Sequence, residues 1–248
     1  MEDIRYREFT LPNYMLDCNS RLRPGAFMDL CQQAAGEEAR MLGFPDSRLM
    51  ERCGAVWVIA RMEARFRSLP MRGDTVRLRT WHKGADKIFF LRDYQLLDTA
   101  DNILADATSV WVVMDAAARK VMRIDTLQDI IPPQAQYPLH AIETVTEKIV
   151  VPSGCIQEKV AEHTVQYSDV DYNGHANNAR YTVWAMDCIP GGEAFRSPLR
   201  EIALNFNREA RPGETVTLCH CQSDGRHYVS GFSGREQIFI SRLEFGGV

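Results

Sequence analysis

The chain has 248 residues, 45% of them hydrophobic and 25% charged, with a formal net charge of -4. This length and composition fit one large globular domain or two small ones, with enough apolar surface to bury a core without staples. The acidic balance argues against a nucleic-acid binder, and no uninterrupted apolar run is long enough to cross a bilayer.

The first residues, Met1-Glu2-Asp3-Ile4-Arg5-Tyr6-Arg7-Glu8, are charged from the start and contain no apolar signal-peptide core. The expected location is therefore cytoplasmic. A helix is predicted from Pro24 to Gly43, where Phe27, Leu30, Cys31, Ala34, Ala35 and Leu42 recur at three- and four-residue spacing. Pro24 suits its first turn and Gly43 its C-terminal cap. Strand-like stretches follow at Val56–Phe66, Thr75–Lys83, Ile88–Leu97 and Ile103–Asp115, the last strongly β-branched around Val110-Trp111-Val112-Val113. From about 126 to 157 the chain is rich in Pro and reads as a linker.

The order then recurs. A strand at Lys159–Tyr167 leads through a loop to a helix at about Ala176–Cys188. Strands follow near Arg200–Glu209, Thr215–Gln222, His227–Gly234 and Gln237–Phe245. The turn Pro70-Met71-Arg72-Gly73-Asp74-Thr75-Val76 is echoed by Ala210-Arg211-Pro212-Gly213-Glu214-Thr215-Val216. Each half is thus a helix with four or five antiparallel strands, a duplicated α+β unit in which each helix covers the apolar face of a sheet. The expected division is 1–125, a linker over 126–157, and 158–248.

The seven cysteines are scattered, and Cys219 and Cys221 lack zinc-finger spacing. All seven are expected to be reduced thiols. His82, His140, His163, His220 and His227 show no metal-ligand spacing and are expected on strands or at the surface, so no metal and no cofactor is expected.

The chemistry concentrates in Asp171-Tyr172-Asn173-Gly174-His175-Ala176-Asn177-Asn178, between a strand and a helix. Such a junction exposes backbone N–H groups and the positive end of a helix dipole, a place to stabilise a developing oxyanion. Asp171, Asn173 and His175 surround it with a carboxylate, an amide and an imidazole. Asp and Asn ahead of a helix are ordinarily N-caps and turn formers; it is the added His175 that shifts the balance towards a site.

This segment, Asp171-x-Asn173-x-His175-x-Asn177-Asn178-x-x-Tyr181, resembles the signature of the plant and bacterial acyl-acyl-carrier-protein (acyl-ACP) thioesterases. The likeness extends upstream through Val56-Trp57-Val58-Ile59-Ala60-Arg61-Met62, Arg72-Gly73-Asp74-Thr75-Val76 and Ser109-Val110-Trp111-Val112-Val113-Met114. It implies a double hotdog, two helices each wrapped by an antiparallel sheet in an intrachain pseudo-dimer. The absence of a transit-peptide-like segment fits a bacterial member. The resemblance also implies that Asp171, Asn173, His175 and Glu209 are catalytic. Ala210 stands where the family commonly carries Cys, which excludes a thiol nucleophile there and favours a carboxylate and water.

The implied reaction is hydrolysis of fatty acyl-ACP to free fatty acid. Its expected partners are the fatty acyl chain and an acidic carrier protein presenting a phosphopantetheine arm, and the chain itself is expected to be a monomer or homodimer. Backbone N–H groups near Gly174 and His175 are the expected oxyanion donors and Glu209 the expected base. Asp171 is either an orienting group or a nucleophile. Phe27, Met28, Leu30, Cys31 and the strand Val56–Met62 are candidate tunnel residues whose ordinary role is core. Residues 61–92 hold nine Lys or Arg against three acidic residues, a candidate surface for steering the carrier. Acyl-coenzyme A hydrolysis is the nearest alternative; a dehydratase-type lyase and a non-enzymatic acyl-binding hotdog rank behind it.

Overall fold

The computed structural model describes residues 4–144 and 146–246, so Met1–Asp3 of the charged N-terminal run lie outside the described residues. In chain order the elements are β1 (Tyr6–Thr10), α1 (Pro24–Leu42), α2 (Asp46–Cys53), β2 (Ala55–Phe66), β3 (Thr75–Asp86), β4 (Phe89–Leu97), β5 (Ile103–Asp115) and the short β6 (Lys120–Val121). The second half supplies β7 (Glu158–Thr164), α3 (Asn178–Asp187), α4 (Glu193–Arg196), β8 (Leu199–Phe206), β9 (Thr215–Ser223), β10 (Arg226–Ser233) and β11 (Glu236–Phe245).

The strands form one antiparallel sheet in the order β1-β3-β4-β5-β2-β8-β11-β10-β9-β7, with β6 on β5. Read outward from the β2–β8 seam, the two halves have the same order. The seam runs from Arg61↔Asn205 to Arg65↔Glu201. Curved around α1 and α3, this is a double hotdog.

The echoed turns have a common physical basis. Asp74 accepts the Met71 N–H at 2.7 Å and Glu214 accepts the Arg211 N–H at 2.9 Å, so each acidic residue ties its turn three residues back. Their own carbonyls then receive Leu11 N–H and Val165 N–H, which dock the edge strands.

One apolar cluster runs through both halves. It includes Phe27, Met28 and Cys31 of α1 with Tyr181, Trp184 and Ala185 of α3. The helices meet closely: a Cβ at Gly25 would lie 2.9 Å from Val183 Cγ2. Gln32 of α1 donates to Asn177 Oδ1 and accepts from Asn178 Nδ2, both at 3.1 Å, an amide exchange that fixes the register of the two helices.

The segment between the halves is a strap across the outer face of the sheet. Trp81 Nε1 donates to the Leu139 carbonyl at 3.0 Å, Ala141 N–H to Asp93 at 2.8 Å, and Ile149 N–H to Asn205 Oδ1 at 2.6 Å. Beneath it Lys83 and Asp93 form a fully buried ion pair at 3.3 Å. The thiol expectation is corrected at the strap's end, where Cys155 is disulfide-bonded to Cys221 of β9, with Cα atoms 6.0 Å apart. The remaining five cysteines are free. A pairing across 66 residues depends on where the strap lies, which spacing does not encode.

Candidate active site

Asn177 is the N-cap of α3, and its side chain accepts the Ala179 N–H at 2.8 Å. The hairpin ahead of it is tightly made. Val170 and Ala176 face each other as an antiparallel bridge. Asp171 N–H donates to the His175 carbonyl and Gly174 N–H to the Asp171 carbonyl, both at 3.0 Å. Asn173 N–H donates to Asp171 Oδ1 at 2.8 Å. This is a three-residue hairpin loop closed by a left-handed residue, and Gly174 meets that need with φ at +80°.

The arrangement refines the expected oxyanion donors. Gly174 N–H is already taken by Asp171, whereas His175 N–H donates to no group among the described residues. His175 is half-buried, its Nδ1 3.2 Å from the Ala176 carbonyl, while Asn173 is exposed. Asp169 is a structural neighbour. Burial raises its carboxyl pKa, but the Gln166 N–H, His163 and Arg180 outweigh this and hold it below the ordinary range.

Glu209 comes to the hairpin from the other side. The predicted strand to Glu209 in fact ends at Phe206, because Asn207 and Arg208 N–H both turn to the Ile238 carbonyl, at 2.8 and 3.1 Å. Glu209 thus lies in the loop beyond the strand, where alternation does not govern its direction. Ala210 N–H donates to the Tyr181 hydroxyl at 3.0 Å. Ala176 N–H donates to the Ala210 carbonyl at 2.8 Å. His175 and Glu209 therefore each precede one partner of a single hydrogen bond. Burial pushes the Tyr181 hydroxyl up to about 12, so it stays a neutral link between α3 and this loop.

The Glu209 main chain is fixed further by Arg208, which donates to the Glu209 carbonyl at 2.7 Å and pairs with Glu214. The Arg208 hydrogen bond holds the Glu214 carboxyl down to about 2. The Glu209 carboxylate itself meets Arg119 at 3.3 Å. Arg119, Arg208, Glu209, Arg211, Glu214 and Glu236 line an open cleft of about 560 Å³. Ala210 is fully buried and carries no nucleophile. Among the described residues, no hydrogen bond joins the side chains of Asp171, Asn173, His175 and Glu209 to one another.

The expectation about charge needs narrowing. Only part of the basic stretch 61–92 is a free cationic surface: Lys83 and Arg92 are buried, and Arg65, Arg67 and Arg77 are paired with carboxylates. Arg65, Arg67, Arg72 and Lys87 are exposed, so part of the stretch still faces solvent. His82 and His227 are buried strand residues, His227 bonded to His220 at 2.9 Å and to Glu193 at 3.1 Å.

The structure also reveals a second copy of the hairpin that the sequence reading did not single out, ahead of α1 at Asp17-Cys18-Asn19-Ser20-Arg21. Asp17 N–H donates to the Arg21 carbonyl at 2.8 Å, Ser20 N–H to the Asp17 carbonyl at 3.0 Å, and Asn19 N–H to Asp17 Oδ1 at 2.8 Å. Leu22 N–H meets the Pro70 carbonyl as Ala176 meets Ala210. Arg21 stands where His175 would be and Leu69 where Glu209 would be. The shared Asp-x-Asn spacing was the available signal.

A double hotdog with a polar hairpin at the start of its second central helix, and the Glu209 loop hydrogen-bonded beside it, defines the class to which this chain is compared. Residues 2–131 match the acyl-ACP thioesterase N-terminal domain and residues 155–242 the acyl-ACP thioesterase C-terminal domain. The chain belongs to the acyl-ACP thioesterase family. It is 30% identical over 213 residues to the chloroplastic acyl-[acyl-carrier-protein] hydrolase FATB2 of Cuphea viscosissima, covering 83% of this chain and 50% of the plant protein. It is 26% identical over 254 residues to the chloroplastic palmitoyl-acyl carrier protein thioesterase of Cuphea hookeriana, covering 97% of this chain and 59% of the relative. The chain thus spans little more than half the length of these plant relatives. The same fold occurs in an acyl-ACP thioesterase from Bacteroides thetaiotaomicron, with TM-score 0.84, 23% identity and 98% of both chains covered. It occurs also in the 12:0-ACP thioesterase of Umbellularia californica, with TM-score 0.85, 21% identity and 98% and 97% covered.

Proposed function

We propose that this chain hydrolyses the thioester of fatty acyl-ACP, releasing free fatty acid and ending chain elongation, with Asp171, Asn173, His175 and Glu209 as its catalytic residues. The observation that carries this reading is the Ala176–Ala210 hydrogen bond, which sets the Asp-x-Asn-x-His hairpin against Glu209 in a chain of this family. The carrier is taken as the partner because the plant relatives are named as hydrolases of acyl carrier protein esters.

In this mechanism Glu209 removes a proton from water, and the water oxygen attacks the thioester carbonyl. The His175 N–H, without a partner among the described residues, and the Asn173 amide receive the developing oxyanion. Collapse of the tetrahedral intermediate expels the pantetheine thiolate, which takes the proton back from Glu209. Ala210 supplies no thiol, and water is taken as the nucleophile. Asp171 is the orienting group: its Oδ1 already holds the Asn173 N–H and so sets the shape of the loop.

The test is an assay of acyl-ACP substrates against the matching acyl-coenzyme A esters, with wild type beside Asp171→Ala and Glu209→Gln. Turnover of the carrier esters, reduced about 100-fold or more in each variant, is the expected result. Faster turnover of coenzyme A esters moves the substrate to the free cofactor. Tight acyl binding with no turnover leaves a binding module.

A further inference from the structure

Glu209 is the group in the site whose carboxylate is held by a residue from the other half of the molecule. Both terminal nitrogens of Arg119, Nη1 and Nη2, lie 3.3 Å from the same oxygen, Glu209 Oε1. Oε2 has no hydrogen-bond partner among the described residues. We propose that Arg119 is a positioning residue for the hydrolysis, clamping Oε1 so that Oε2 is presented to the attacking water. This rests on the hydrolase reading above.

The fold places Arg119 there by construction. β2 and β5 stay paired as far as Ala55↔Asp115, but the pairing of β2 with β8 stops at Arg61↔Asn205, beside a bulge in β2 between Ile59 and Arg61. β8 ends one residue further on, at Phe206, while β5 carries on past it to Asp115. The turn at the end of β5 therefore projects alongside the loop that bears Glu209.

That turn is rigid. Asp115 Oδ1 accepts Ala117 N–H at 2.9 Å and Ala118 N–H at 2.7 Å, Arg119 N–H donates to the Asp115 carbonyl at 2.9 Å, and Ala116 N–H is bound by the Gly54 carbonyl at 2.9 Å. Arg119 has φ at +55°, a left-handed conformation uncommon for a side-chain-bearing residue. A turn that needed only to reverse the chain would favour Gly or Asn at this position. On the other side, the Glu209 main chain is fixed by Arg208 and by the Ala210–Tyr181 bond. Both ends of the contact are thus held by backbone hydrogen bonds, which is what a preorganised catalytic carboxylate requires.

The contact is poorly suited to a purely stabilising role. Arg119 is 53% exposed and Glu209 26% exposed, and solvent-exposed ion pairs add little to folding. Replacing Arg119 therefore leaves the fold intact and isolates its effect on the reaction.

The experiment measures hydrolysis of one acyl-ACP substrate by wild type, Arg119→Ala, Arg119→Lys, Glu209→Gln and the Arg119→Ala/Glu209→Gln double variant. Arg119→Ala is expected to lose about 10- to 100-fold in kcat with KM moved less than about threefold. Arg119→Lys, or guanidinium ion added to Arg119→Ala, restores part of the loss, which a merely structural residue would not show. In the Glu209→Gln background the Arg119→Ala step changes the rate less than about twofold, because the group it acts through is gone. Wild-type kcat in Arg119→Ala, or full additivity of the two substitutions, overturns the positioning role while leaving the hydrolase reading intact. Absence of hydrolysis by the wild-type chain overturns the hydrolase reading, and the positioning role with it.

Discussion

His82 is buried on β3, with its backbone N–H donated to Gln136 Oε1 at 2.6 Å and its ring Nε2 2.9 Å from the Pro132 carbonyl. A carbonyl only accepts, so Nε2 carries the proton, and the ring binds the strap as a neutral imidazole. Burial, reinforced by the nearby Arg92 charge, lowers its pKa from 6.5 to about 4. Its folded pKa lies below its unfolded one, so its share of stability is complete above pH 6.5 and falls away as pH drops towards 4. The urea midpoint of the wild type is expected to fall between about pH 7.5 and pH 5, with a shallower fall in His82→Gln. Equal slopes would show that His82 is not the titrating group. His82 was readable from the sequence as a strand residue, but its burial was not, because the groups that cover it come from residues 132 and 136. The site divides in the same way. Asp171, Asn173 and His175 lie within one turn and so leave a local pattern. Arg119 lies 90 residues from Glu209, and nothing near either residue announces the other.

At the level of elements, legibility followed length and apolar pattern. α1 runs from Pro24 to Leu42 with Gly43 at its cap, because Phe27, Cys31, Ala34 and Ala35 repeat along one face and the ends carry their own signals. β5 matches its predicted bounds because its β-branched run is long and closed by Asp115. α2 was missed: it has eight residues and buries one of them, Leu49, too little for a helical period to emerge. β1 was missed because it is an edge strand with an exposed face and no apolar alternation. β8 was predicted too long, since its end is set by the Ile238 carbonyl capturing two N–H groups from a strand more than thirty residues away. The strap shows the same limit. Its prolines mark irregular backbone, whereas its path is chosen by Asp93, Asn205 and Cys221, none of them near it in sequence.

For the molecule as a whole, the strap couples the two halves from outside as the β2–β8 seam couples them from within. The disulfide closes a loop of 66 residues that includes α3, β8 and most of β9. A cross-link over a loop of this size contributes about 2–4 kcal/mol through restriction of the unfolded chain. Reductant is therefore expected to lower the thermal unfolding midpoint, and Cys155→Ser to show the same lower midpoint with or without reductant. A wild-type midpoint indifferent to reductant would mean that the two thiols are not joined in the folded protein.

The repeated hairpin ahead of α1 makes the molecule its own blank. Asp17 holds the Asn19 N–H just as Asp171 holds the Asn173 N–H, but with Leu69 and Arg21 around it there is no base and no imidazole. Asp17→Ala removes the same turn-holding carboxylate and, with it, an Arg21 ion pair and backbone hydrogen bond that Asp171 lacks, so it sets an upper bound on what the lost turn at Asp171 costs the fold, with no chemistry mixed in. A loss of kcat in Asp171→Ala that Asp17→Ala does not share belongs to the reaction. Asp17→Ala is expected to lower the unfolding midpoint at least as much as Asp171→Ala while leaving kcat near the wild-type value; a kcat that fell equally in both would mean that the loss at Asp171 is a folding effect.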